Sequence, residues 1–122
     1  DCGAMKGAMH PESVQHLPHV RNWLSNAEAA AAKVRARHGE ISQDNLLELT
    51  QENVILQLKH LETHPSVASK IATGNVLLHG WVYDIEHGQI YCYESNTGSF
   101  APVAEHYAHL RSHAEKLGKN VA

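Results

Sequence analysis

Apolar positions change period once along the chain, and the change separates a helical part from a later strand part. Ala4, Met5, Ala8 and Met9 form a short helix-capable stretch after Cys2-Gly3, and Pro11 and Pro18 bracket a connector. From Pro18, apolar residues fall at Val20, Trp23, Leu24, Ala27, Ala31 and Val34, the i, i+3, i+4, i+7 spacing of one helix face. Pro18 suits a first helical position and Gly39 suits the stop. The alanines at 29–32 have the highest intrinsic helix propensity in the chain. Ser42 is placed to cap a second long helix, with an apolar stripe of Leu46, Leu47, Val54, Ile55, Leu58 and Leu61. Thr63-His64-Pro65 breaks that helix, because the residue before a proline is pushed out of the helical region. A short helix with Val67 and Ile71 on one face then ends near Gly74.

Residues 76–85, Val-Leu-Leu-His-Gly-Trp-Val-Tyr-Asp-Ile, are apolar or aromatic on both alternations. That pattern predicts a strand buried on both faces, as in a sheet interior. Glu86-His87-Gly88 reads as a hairpin loop, Gln89 to Glu94 as the returning strand, and Ser95-Asn96-Thr97-Gly98 as a further turn. The expected architecture is thus α/β, with a buried strand and hairpin over 75–94. The tail from Ala104 is polar and helix-capable. A strand buried on both faces needs neighbouring strands and helix cover. The chain supplies one hairpin, so a partner segment is expected from elsewhere. The opening Asp1-Cys2-Gly3, without an initiator methionine, fits either a processed N-terminus or a piece of a longer protein.

Composition narrows the function classes. The 122 residues allow one domain of ordinary size, and 43% hydrophobic with 19% charged residues is a globular balance. A net charge of -3 excludes a strongly basic nucleic-acid clamp. Two cysteines, Cys2 and Cys92, are too few for a disulfide-stapled scaffold. The apolar runs are far short of a membrane span.

The 11 histidines raise a metal question without supplying a motif, since no HExxH, CxxC or Cys₂His₂ spacing occurs. His60 and His64 stand at i, i+4, but His64 precedes Pro65, so solvated surface histidines are expected there. His106, His109 and His113 share a polar helical face. His79 reads as a hydrogen-bonded core or interface residue, and Trp23, Trp81 and Phe100 as core anchors. Cys92, between Tyr91 and Tyr93, reads as a small core residue. Cys2 precedes a helix, where unpaired N–H groups and the positive end of the helix dipole favour thiolate, the form that binds zinc or attacks electrophiles. A buried, inert cysteine is the other reading of Cys2.

Beyond these residues, the chain resembles the bacterial β-class carbonic anhydrases. Asp1-Cys2-Gly3-Ala4-Met5-Lys6-Gly7 is similar to the family's second zinc-ligand motif, His-Ser-(Asp/Asn)-Cys-Gly-Ala-Met. Three blocks match in order: Leu17-Pro18 to Ala27, then Glu52-Asn53-Val54 through Gln57-Leu58 to Thr63-His64-Pro65-Ser66-Val67, then His79-Gly80-Trp81-Val82-Tyr83-Asp84-Ile85-Glu86 with Gly88. Phe100-Ala101-Pro102 fits the close. The resemblance covers residues 1–103 as the C-terminal portion of the family domain, and leaves 104–122 as a variable tail.

The resemblance implies an α/β domain with a mainly parallel sheet, assembled into homodimers or larger homo-oligomers. It implies one Zn²⁺ per complete active site, held by two cysteines and a histidine, and reversible hydration of carbon dioxide to bicarbonate. Cys2 maps onto a metal ligand and Gly3 onto the motif glycine, which lets the backbone pass close to metal and substrate. Tyr83 maps onto a tyrosine that lines a non-catalytic bicarbonate pocket in some members. The remaining ligands and the catalytic aspartate–arginine pair belong to a missing N-terminal segment, so no catalytic residue is expected within this chain, and the isolated chain is expected to be inactive. A cytoplasmic enzyme, without nucleic-acid or membrane partners, is the implied setting. Three other readings predict different behaviour: a same-fold hydrolase of carbon disulfide or carbonyl sulfide, a non-enzymatic oligomerisation or partner-binding fragment, and a histidine-rich metal buffer.

Overall fold

The computed structural model describes residues 2–108, and the structural statements below concern these residues. They fall into two compact units, one ending at Leu78 and one beginning at His79.

The first unit is helical. Helix α1 spans Gly3–Met9 and buries Met5, Gly7, Ala8 and Met9. A 3-10 turn at Pro11–Val14 leads to α2, Pro18–Leu24, with Pro18 in its first turn as expected. The single helix expected from Pro18 to Val34 is interrupted. A 3-10 turn at Ser25–Ala27 separates α2 from α3, Glu28–His38. The cause is local: Ser25 Oγ donates to the Asn22 carbonyl at 2.6 Å and Asn26 Nδ2 to the Trp23 carbonyl at 2.9 Å. Such side chains compete for carbonyls that the helix would otherwise use. Gly39 ends α3 at φ 80°, a conformation other residues reach only with strain.

Ser42 does cap the next helical segment, and the Asn45 side chain returns a bond to the Ser42 backbone N–H at 3.0 Å. After the 3-10 turn Gln43–Asn45 comes α4, Leu46–Thr63. His64 is extended, and Pro65 opens α5, Pro65–Ala72. The core joins Met5, Ala8 and Met9 of α1, Ala27, Ala30, Ala31 and Val34, and Ile41, Leu46 and Leu49. Small alanines on α3 let α4 approach closely, so Ala31, Val34 and Leu49 are wholly buried. Trp23 is not the anchor expected of it. It is 77% exposed, beside half-exposed Leu17 and Val20, so the outer stripe of α2 faces away from this core.

The second unit is a three-stranded sheet in the order β1-β2-β3, built from Trp81–Asp84, Gln89–Glu94 and Ser99–Pro102. Both pairings are antiparallel, with Trp81 opposite Cys92 and Cys92 opposite Ala101. Helices with a small sheet give the expected α/β class, and the parallel strands implied by the resemblance are not among the described residues. The third strand was not anticipated, because four residues ending in a proline carry too little alternation to read. The first strand is shorter than its apolar run, and it is buried on one face rather than two. Val82 is buried, while Trp81, Tyr83 and Ile85 are exposed, because the described sheet carries no layer over that part of the face.

Helix α6, Val103–His106, follows β3, and the part of the expected tail at 109–122, with His109 and His113, lies outside the described residues. Tyr107 sits against the sheet, its hydroxyl 2.5 Å from His79 Nδ1 and 3.7 Å from Cys92 Sγ. Burial pushes that hydroxyl's pKa up. No helix among the described residues is long and apolar enough to cross a membrane.

Candidate metal centre

Cys2 occupies the N-terminal cap of α1. Its backbone is extended, its carbonyl accepts the first helical bond from Lys6 N–H at 3.0 Å, and its side chain makes no capping bond. The thiol is free and exposed. Within the described chain the thiol is thus exposed, not buried as the second reading of this residue expects.

Its helix is held firmly. Met5, Ala8 and Met9 enter the core, and Arg35 Nη2 donates to the Met9 carbonyl at 3.4 Å while its Nη1 pairs with Glu28 at 3.2 Å. The next residue, Gly3, is open: a β-carbon placed there meets no atom within 4 Å. Nothing in the described chain crowds this position, so any need for glycine must come from groups that meet it from outside.

One soft, unengaged sulfur fits zinc as a single ligand. Zinc sites use three or four protein donors. Among the described residues no group of three or more His, Cys, Asp and Glu side chains is arranged to hold a metal ion. The histidines are placed elsewhere. His60 meets Gln57 at 3.3 Å and His64 meets Ser66 at 3.0 Å, both on the surface. His79 is hydrogen-bonded to Tyr107 as expected, though exposed rather than in a core. Cys92 is buried in the second unit. Tyr83, the candidate pocket residue, is 60% exposed on β1.

A network of charged side chains was not read from the sequence. It lies between α3 and α4. Glu52, buried on α4, accepts from Lys33 Nζ at 2.6 Å and pairs with Arg37 at 2.7 Å. Glu48, one turn earlier, pairs with Arg37 at 2.8 Å and His38 at 2.7 Å. Burial pushes the Glu52 carboxyl up, but the Lys33 and Arg37 hydrogen bonds outweigh it and leave its pKa below the ordinary value. The Arg37 hydrogen bond likewise lowers Glu48. The signal was present as two bases at i, i+4 (33 and 37) and two acids at i, i+4 (48 and 52).

Gln57 completes the fastening, donating to the Asn26 carbonyl at 3.1 Å and to Asn53 Oδ1 at 3.0 Å. Of the polar residues of one matching block, Glu52 thus joins α4 to α3 and Gln57 joins it to the turn before α3, while Asn53 holds Gln57 from within α4.

Comparison with known proteins gives the wider context. The family model described as "Carbonic anhydrase" matches residues 1–90. A protein named carbonic anhydrase 1 from Escherichia coli O157:H7 is 39% identical over 104 residues, covering 85% of this chain and 48% of its own. A carbonic anhydrase of Pseudomonas aeruginosa is 42% identical over 106 residues, covering 87% of this chain and 48% of its own. A solved structure, described as that of the beta-carbonic anhydrase CcaA, superposes with a TM-score of 0.75 at 37% identity, over 83% of this chain and 50% of that one. The chain thus spans about half the length of the curated relatives it matches.

Proposed function

We propose, from the premise that this chain belongs to the carbonic anhydrase family, that it forms the C-terminal part of a β-class enzyme that interconverts carbon dioxide and bicarbonate. The observation that carries the reading is Cys2: an exposed, unengaged thiol on a firmly seated helix, inside the span that matches the family.

In this reading Cys2 is one zinc ligand, and the other ligands come from polypeptide that the chain does not contain. Zinc supplies Lewis acidity and, near neutral pH, a nucleophile made from water. The chain's own contribution is positional. α1 presents the sulfur, the core under Met5, Ala8 and Met9 fixes the helix, and Gly3 leaves the space beside the sulfur clear for backbone and substrate. A thiolate donor also requires a proton to leave Cys2 when metal binds. One donor cannot hold the ion, so the isolated chain is inactive. Two free thiols suit a reducing compartment such as the cytoplasm. Pairing of identical subunits is part of the same reading.

A carbon dioxide hydration assay with the intact mass of the same sample tests the proposal. Activity is expected from the complete protein and not from the 13.5 kDa chain alone. Hydration catalysed by the 13.5 kDa chain without a second polypeptide would contradict it. Parallel assays with carbon disulfide and carbonyl sulfide separate the same-fold hydrolases.

A further inference from the structure

We infer that Gly7 is a positioning residue for the metal ligand Cys2. The inference rests on the zinc reading above and adds a residue to it.

Helix α1 has seven residues, with Cys2 at its cap and Gly7 five residues further on, about 7.5 Å along the axis. Over so short a distance a helix moves as a rigid piece. Met5, Ala8 and Met9 fix one side of it in the core. At about 100° per residue, Gly7 falls on the other side. There it is buried against a second wall. A β-carbon on Gly7 would lie 2.9 Å from Leu24 Cδ1 and 3.2 Å from Val14 Cγ1. α1 is therefore wedged between the core and the Val14–Leu24 wall, and the missing side chain sets the width of the wedge.

Glycine inside a helix is less favourable than alanine, so its use here needs a local reason. The close wall supplies one. The two clashing atoms differ in how they yield. Leu24 Cδ1 is the end of a flexible side chain, and Leu24 and Val14, both half-buried, border a cavity of about 490 Å³ that also touches Gly7 and Ala8. The leucine tip can swing aside for a single methyl group. A branched side chain adds two further carbons against both Leu24 and the stiffer, β-branched Val14, more than the swing of one leucine tip accommodates. The core cannot compress, because interiors are close-packed. The helix must then tilt, and the tilt carries the Cys2 sulfur away from the other donors.

The test uses the complete zinc protein with cobalt exchanged for zinc, and reads the thiolate-to-cobalt absorption band and the cobalt affinity. The graded series Gly7→Ala, Gly7→Ser and Gly7→Val is expected to shift the band and weaken affinity in order of size, from near wild type for alanine to many-fold weaker for valine. Leu24→Ala in the Gly7→Val background is expected to restore both. A flat series across folded variants, with only the melting temperature moving, overturns the inference. So does a shifted band that Leu24→Ala fails to restore. Cys2→Ser serves as the separate arm: if it keeps the full band, the zinc reading itself fails, whereas its loss beside a flat Gly7 series leaves that reading intact and removes Gly7 alone.

Discussion

Lys33 Nζ stands 2.6 Å from Glu52 Oε2, joining the middle of α3 to a carboxylate that α4 has taken almost wholly out of solvent. Arg37 meets the other oxygen of the same group. Removing the acid leaves two bases that can turn to water, whereas removing Lys33 leaves a buried carboxylate with Arg37 alone and one oxygen short of its partner. Lys33→Met is therefore expected to destabilise by about 1–3 kcal/mol, and Glu52→Gln by less. Urea denaturation of the two variants checks the order, and equal costs would contradict the assignment.

Acid should loosen the same junction. Glu48 and Glu52 have folded pKa values below the ordinary 4.5, so the native state holds fewer protons than the unfolded chain. Their contribution is complete above 4.5 and is lost as pH falls through the lowered folded values. Melting temperature should drop across that acid window, and the double variant Glu48→Gln/Glu52→Gln should show a shallower drop.

The turn after β1 titrates with the opposite sign at its histidine. Asp84 Oδ2 lies 2.8 Å from His87 Nδ1, and that hydrogen bond raises His87 above 6.5 and lowers Asp84 below 3.8. The stabilising contribution of His87 is present below 6.5 and disappears as pH rises through its raised folded value. An NMR titration should place His87 above 6.5, and Asp84→Asn should lower it toward 6.5.

Leu49 and Trp23 test how burial rather than residue type sets stability. Leu49 is wholly enclosed, so Leu49→Ala should cost about 2–5 kcal/mol. Trp23 is 77% exposed, and Trp23→Ala in this chain should change stability by no more than about 0.5 kcal/mol. Thermal unfolding of both variants gives the comparison.

The same contrast shows what the sequence could and could not convey. Periodicity located α1, α4, α5 and β2, because each is bounded by its own punctuation: Ser42 and Pro65 act on the backbone directly. It joined α2 to α3, because a hydrophobic stripe does not register that Ser25 and Asn26 take carbonyls from the helix. It took Trp23 for an anchor, because an apolar side chain reports a tendency to be covered without saying by what. At the candidate site, the place of Cys2 at the start of a helix was legible from its neighbours in the chain. The Glu52 junction was not, since it depends on two helices meeting, and the wall at Gly7 depends on α2 folding back on α1.

The zinc content of the folded Cys2→Ser protein, measured in the complete enzyme beside the unaltered one, decides whether this sulfur is a metal ligand. One zinc per active site in the unaltered protein and little or none in the variant is the predicted result. Full zinc retention by a folded Cys2→Ser protein would show that the metal does not depend on this sulfur.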